Sequence, residues 1–180
     1  QLYEGIELGA EGASGLITYM RTDSARISAE AETRVKAWIG EKHGEKYVGG
    51  ARTVKASPGA QDAHEAIRPT DVNRTPESIK QHLTADQFKL YDLIWRRFVA
   101  SRMAPAVYDQ TRVEIAGGAD IFRANGSVLT FDGFYKVWPR EENGEADLPE
   151  LARDEVLDYH ALKPEQHFSQ PPPRYSEATL

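Results

Sequence analysis

Between residues 28 and 43 apolar side chains recur at helical spacing, with Ala31, Val35, Trp38 and Ile39 making one stripe. Ser28 is a good N-cap, Glu30 and Glu32 sit in the positive first turn, and Gly44 follows the end. The pattern predicts a helix over 28–43. Residues 48–62 are rich in Gly, Ala and Ser, show no clear period, and are expected to be a loop. Pro76 after Thr75 marks a second helix start, for a short helix to about Leu83. Thr84-Ala85-Asp86-Gln87 is a capping box, and Phe88, Tyr91, Trp95 and Phe98 follow at spacings of 3, 4 and 3. That helix is expected to stop near Met103, ahead of Pro105.

Past residue 104 the period shortens. Tyr108, Thr111, Val113 and Ile115 suggest a strand, with Gly117-Gly118 as a turn. Ile121 and Phe122 suggest a second strand, and Asn125-Gly126 a hairpin turn. Val128 to Phe131, Phe134 to Trp138 and Val156 to Ala161 read as further strands, with an acidic loop over 140–150. Pro171-Pro172-Pro173 reads as a stiff connector. The expected class is α+β, with a helical part over 1–103, a β-rich part over 104–168, and the start of a further helical domain over 169–180.

Composition narrows the function. The chain has 180 residues, 40% apolar and 28% charged, as globular proteins do. No apolar run approaches the roughly 18 residues of a membrane helix, and no signal peptide is visible. With no Cys, thiolate catalysis, disulfides and Cys-based zinc sites are excluded within it. These features suit a reducing cytoplasm. The chain begins at Gln1 without Met, and is expected to be a piece of a larger protein. The net charge is −6, unevenly spread. Residues 1–103 hold 15 Lys+Arg against 14 Asp+Glu, and residues 104–180 hold 7 against 14. A local phosphate-binding groove in the first part fits this better than a wholly basic surface.

The candidate chemistry starts in Gly15-Leu16-Ile17-Thr18-Tyr19-Met20-Arg21-Thr22-Asp23-Ser24. If the run is extended, Tyr19, Arg21 and Asp23 line one face. A phenol beside a guanidinium can attack a phosphodiester, the Arg binding phosphate and stabilising the phenolate. Free phenols have a pKa of about 10, so such help is needed at neutral pH. Thr18, Thr22 and Ser24 add hydroxyl donors. The competing reading is a strand tyrosine half-buried in a core. A second run, Ala63-His64-Glu65-Ala66-Ile67-Arg68-Pro69-Thr70, brings His64, Arg68 and Thr70 as phosphate-capable donors within seven residues. Surface polarity alone would also explain them. No second ligand stands at metal spacing from His64. Arg174-Tyr175-Ser176-Glu177 follows the prolines, and Ser176 is a reasonable N-cap.

Together, Gly15–Ser24, Ala63–Thr70 and Pro171–Leu180 resemble the bacterial DNA topoisomerase I family, of type IA, over essentially the whole chain, including Phe131-Asp132-Gly133-Phe134. Met20 fits the topoisomerase I form better than topoisomerase III. The resemblance implies that Tyr19 is the nucleophile that joins the 5′ phosphate of a cut single strand, without an external energy source. It implies a phosphate-binding Arg21, a positioning carboxylate at Asp23, a DNA-contacting His64, and an Arg174 reaching the site from another domain. Arg68 and Thr70 share the His64 motif. Nothing corresponds to the family's carboxylate-rich Toprim domain, which binds Mg²⁺, or to its zinc ribbons. The expected partner is single-stranded or negatively supercoiled DNA, the expected state a monomer, and the expected location the bacterial nucleoid. Two other readings compete: a single-stranded DNA-binding module without chemistry, and an interaction module with incidental motifs.

Overall fold

A computed structural model describes residues 1–22, 24–50, 64–140 and 148–177. Asp23, Asp62 and Ala63, most of the loop expected over 48–62 and of the acidic loop over 140–150, and the last three residues lie outside the described residues. The chain divides into two compact units, Gln1–Leu148 and Pro149–Leu180.

The first unit is α+β. Two short strands, β1 (Ile6–Glu7) and β2 (Ala13–Ser14), pair antiparallel. Helix α1 spans Ala29–His43, and the Ser28 hydroxyl accepts from the Ala31 N–H as the predicted cap. Helix α2 is one turn, Pro76–Ile79, and runs into a 3₁₀ turn over Lys80–His82. Helix α3 spans Ala85–Ala100 with both bonds of the capping box formed.

The apolar stripes of α1 and α3 meet in one core. Val35, Ile39, Tyr91 and Val99 are fully buried there, and Trp38 stands edge-on to Trp95 with ring centroids 5.0 Å apart. Two of its polar side chains are matched. The Tyr91 hydroxyl donates to the Arg74 carbonyl at 2.7 Å, and Trp95 Nε1 donates to the Val72 carbonyl at 3.0 Å. Arg102, only 7% exposed, ion-pairs with Glu32 at 2.9 Å without the alignment of a hydrogen bond. Leu16 and Ile17 enter the same core from the N-terminal segment.

The β region departs from the sequence expectations. It is a single long hairpin of β3 (Val107–Gly117) and β4 (Asp120–Phe131), turning at Gly118-Ala119. Asn125-Gly126 is no turn: it lies inside β4, opposite Arg112 and Thr111. The glycine there serves close packing, because a Cβ at position 126 would lie 2.7 Å from Leu148 Cγ. The second and third expected strands are therefore one. Phe134–Trp138 is not a strand either. Residues Gly133–Lys136 form a 3₁₀ turn, whose local bonds Tyr135 N–H to Asp132 C=O and Trp138 N–H to Phe134 C=O replace a ladder. An isolated two-stranded hairpin is marginal in water. This one is anchored at its base, where Phe131 lies 4.9 Å from the Tyr47 ring and the Tyr47 hydroxyl donates to Asp132 at 2.7 Å.

In the second unit, residues 149–177 contain no helix or strand. The strand expected over Val156–Ala161 is absent because no neighbouring segment pairs with it among the described residues. Across the described chain, no helix is long and apolar enough to cross a membrane.

Candidate active site

The two motif-bearing runs, far apart in sequence, are laced together by their backbones. Residues 15–18 run antiparallel to 68–70. The Thr70 N–H donates to the Leu16 carbonyl at 3.0 Å, Ile17 bridges Pro69, and the Thr18 N–H donates to the Arg68 carbonyl at 2.9 Å. Beyond the exposed tip the chain returns. The Ser24 hydroxyl donates to the His64 carbonyl at 2.8 Å, and the Ala66 N–H donates to the Arg26 carbonyl at 2.7 Å. Segment 64–70 is thus held from both arms of the 15–26 stretch.

Three hydroxyls read from sequence as phosphate donors serve this frame instead. Thr18 Oγ1 donates to the Ala66 carbonyl at 2.8 Å and accepts from the Arg68 N–H at 3.0 Å. Ser24 is engaged as described, and Thr70 Oγ1 donates to the Gly15 carbonyl at 2.8 Å. Arg68 is similarly occupied. Its Nε and Nη2 contact Glu65 Oε2 at 2.9 and 2.6 Å, and its Nη1 donates to the Pro69 carbonyl at 3.0 Å. This pair is largely shielded, at 14% and 25% side-chain exposure.

The extended run expected through Tyr19 breaks at the residue itself. Among the described residues of the run only Ile17 has a bridge partner, and the Arg21 N–H closes back on the Tyr19 carbonyl at 3.0 Å. Such an i to i+2 closure is a γ-type turn, so period-2 alternation does not carry past Tyr19. Arg21 is half-buried and Asp23 is outside the described residues.

Tyr19 is not a core tyrosine. It is 53% exposed, as is Met20 beside it, and its hydroxyl has no hydrogen-bond partner among the described residues. Its ring stands edge-on to Tyr3, centroids 5.5 Å apart at 70°, and is tilted against His64 at 6.2 Å and 37°. Among the described residues His64 Nδ1 is buried without a partner, so this ring keeps an unused donor or acceptor. The structure therefore brings Tyr19, Arg21 and His64 onto one backbone frame, with Arg68 and Thr70 inside it. Arg174 is exposed in the second unit. Tyr3 was not legible as a site residue. Its link to Tyr19 depends on the Leu16 N–H donating to the Leu2 carbonyl at 2.7 Å, which no spacing in the sequence reports.

Among the described residues there is no group of three or more His, Cys, Asp or Glu side chains able to hold a metal.

The chain matches a family model described as DNA topoisomerase over residues 1–180. It is similar to the full-length topoisomerase I of Thermotoga maritima, at 43% identity and a TM-score of 0.70. That match covers 84% of this chain and 24% of the Thermotoga chain.

Proposed function

The chain belongs to the bacterial type IA DNA topoisomerase family, and we propose that it is the nucleophile-bearing part of a longer enzyme of that kind. Tyr19 Oη attacks a phosphorus of single-stranded DNA. The Oη–P bond forms as the P–O3′ bond breaks. The phenol gives up its proton, and the departing 3′ oxygen gains one. The break is held as a 5′-phosphotyrosine, and attack by the 3′ hydroxyl reverses it. One phosphoester replaces another, so resealing needs no nucleotide. Strand passage through the gap relaxes negative supercoils. Arg21 neutralises the phosphate, and His64 donates to it. Metal binding and general-acid chemistry belong to a Toprim domain elsewhere in the longer enzyme.

The observation that carries this reading is the state of Tyr19: an exposed phenol, its hydroxyl unpartnered among the described residues, fixed to a doubly anchored backbone beside His64. The competing reading keeps single-stranded DNA binding without chemistry, with the exposed rings of Tyr3 and Tyr19 as stacking surfaces. Tyr19→Phe in the longer enzyme separates the two. We expect covalent adduct to fall by at least about a thousandfold on a denaturing gel, with oligonucleotide affinity within about twofold. Adduct that persists would place the nucleophile elsewhere and leave the binding module standing.

A further inference from the structure

We propose that Tyr3 is a positioning residue for the Tyr19 phenol, an inference that rests on the nucleophile reading above. The Tyr3 ring is 42% exposed and stands edge-on to the Tyr19 ring. Edge-to-face packing favours that mutual orientation over free rotation. What makes Tyr3 more than a chance neighbour is how its backbone is held. The Leu2 carbonyl accepts from the Leu16 N–H at 2.7 Å and from the Ile17 N–H at 3.4 Å. Leu2 itself is buried, at 5% exposure. The Gly5 N–H closes a turn onto the Gln1 carbonyl at 2.9 Å, and the Gln1 side chain accepts from Gln87 at the start of α3 at 2.7 Å.

Gly15 completes the arrangement. A Cβ at position 15 would sit 2.7 Å from the Tyr3 carbonyl oxygen, a backbone atom that cannot swing aside. Only glycine lets the Tyr3 backbone lie this close to the strand that leads into Tyr19. The wall and the nucleophile are therefore mounted on two stretches of backbone joined by the same bonds, Tyr3 one residue beyond Leu2 and Tyr19 three and two residues beyond Leu16 and Ile17. A phenol confined by such a wall spends more time aimed at one place, which raises the rate of attack and leaves DNA affinity unchanged.

The test uses the full-length enzyme that carries this segment. The probe is a single-stranded oligonucleotide labelled at its 3′ end, so that the piece joined through its 5′ phosphate stays visible. Cleavage is followed in single turnover at saturating enzyme, with affinity by anisotropy and melting temperature measured alongside. Tyr3→Ala should slow adduct formation about tenfold, with affinity within about twofold and little change in melting. Tyr3→Phe, which keeps the ring edge, should restore the rate. A wild-type rate in Tyr3→Ala overturns the proposal. So does a loss of affinity at unchanged rate, which makes Tyr3 a DNA contact, and so does a slow Tyr3→Phe, which shifts the role to the hydroxyl. Tyr19→Phe run in parallel reports on the nucleophile separately: adduct lost there with a normal rate in Tyr3→Ala defeats this inference alone.

Discussion

Tyr91 and Tyr19 place the same side chain in two unlike regions of one unit. Tyr91 is fully buried between the helices and donates to the Arg74 carbonyl, and burial pushes its phenol well above the usual range. Tyr19 is exposed, and its hydroxyl is left without a partner among the described residues. Around Tyr91, side-chain polar atoms serve side-chain packing: Trp95 likewise finishes on a carbonyl, of Val72. Around Tyr19 the hydroxyls of Thr18, Ser24 and Thr70 are consumed in tying backbone to backbone, while the phenol stays open. A core pairs most of the polar groups it buries. The Tyr19 region satisfies its backbone frame and leaves the phenol exposed.

If that contrast holds, changes in the two regions should move different observables. The largest stability loss is expected from Trp95→Ala, which removes a buried ring and orphans the Val72 carbonyl. About 3–5 kcal/mol should disappear from urea unfolding followed by circular dichroism. Tyr19→Phe should shift the same curve negligibly, and a large shift there would erase the distinction. Tyr91→Phe keeps the ring and strands only the part-buried Arg74 carbonyl, so about 1–3 kcal/mol is expected. A neutral result would mean that water reaches that carbonyl and that the core is less closed than described.

The smallest effect concerns pH. His43 is pulled below its ordinary pKa of 6.5, first by burial and then by Lys136, against a smaller opposing pull from Asp132. The unfolded chain therefore binds the proton more readily. Its contribution to stability is complete above pH 6.5 and is lost as pH falls toward the lowered native value. His43→Gln should flatten the fall in the unfolding midpoint between pH 7 and pH 5. An unchanged slope would assign that fall to other groups.

The helices were readable because their signals are local. Ser28, the Thr84–Gln87 box and the stripe through Tyr91, Trp95 and Phe98 each act within a few residues, and each formed as its spacing implies. The hairpin was half readable. The turn near Gly117-Gly118 was found, but Asn125-Gly126 gave a turn signal inside a strand, since Gly126 answers to Leu148 and not to its neighbours. Phe134–Trp138 misleads because four apolar residues around Lys136 fit a 3₁₀ turn as well as a strand. The candidate site was legible in its residue types and not in its construction. Tyr19 and His64 stood out as chemistry, whereas nothing in the spacing said that Arg68 turns to Glu65, that Thr70 holds Gly15, or that Tyr3 meets Tyr19.

The lacing of residue 18 to residue 68 closes a span of 50 residues. Contacts that distant are reached after the local helices have formed, since the ends of the loop must first be brought together. A ribosome would release Tyr19 well before it released Arg68. Through that interval the growing polypeptide carries the phenol without the later strand that holds the backbone leading into it.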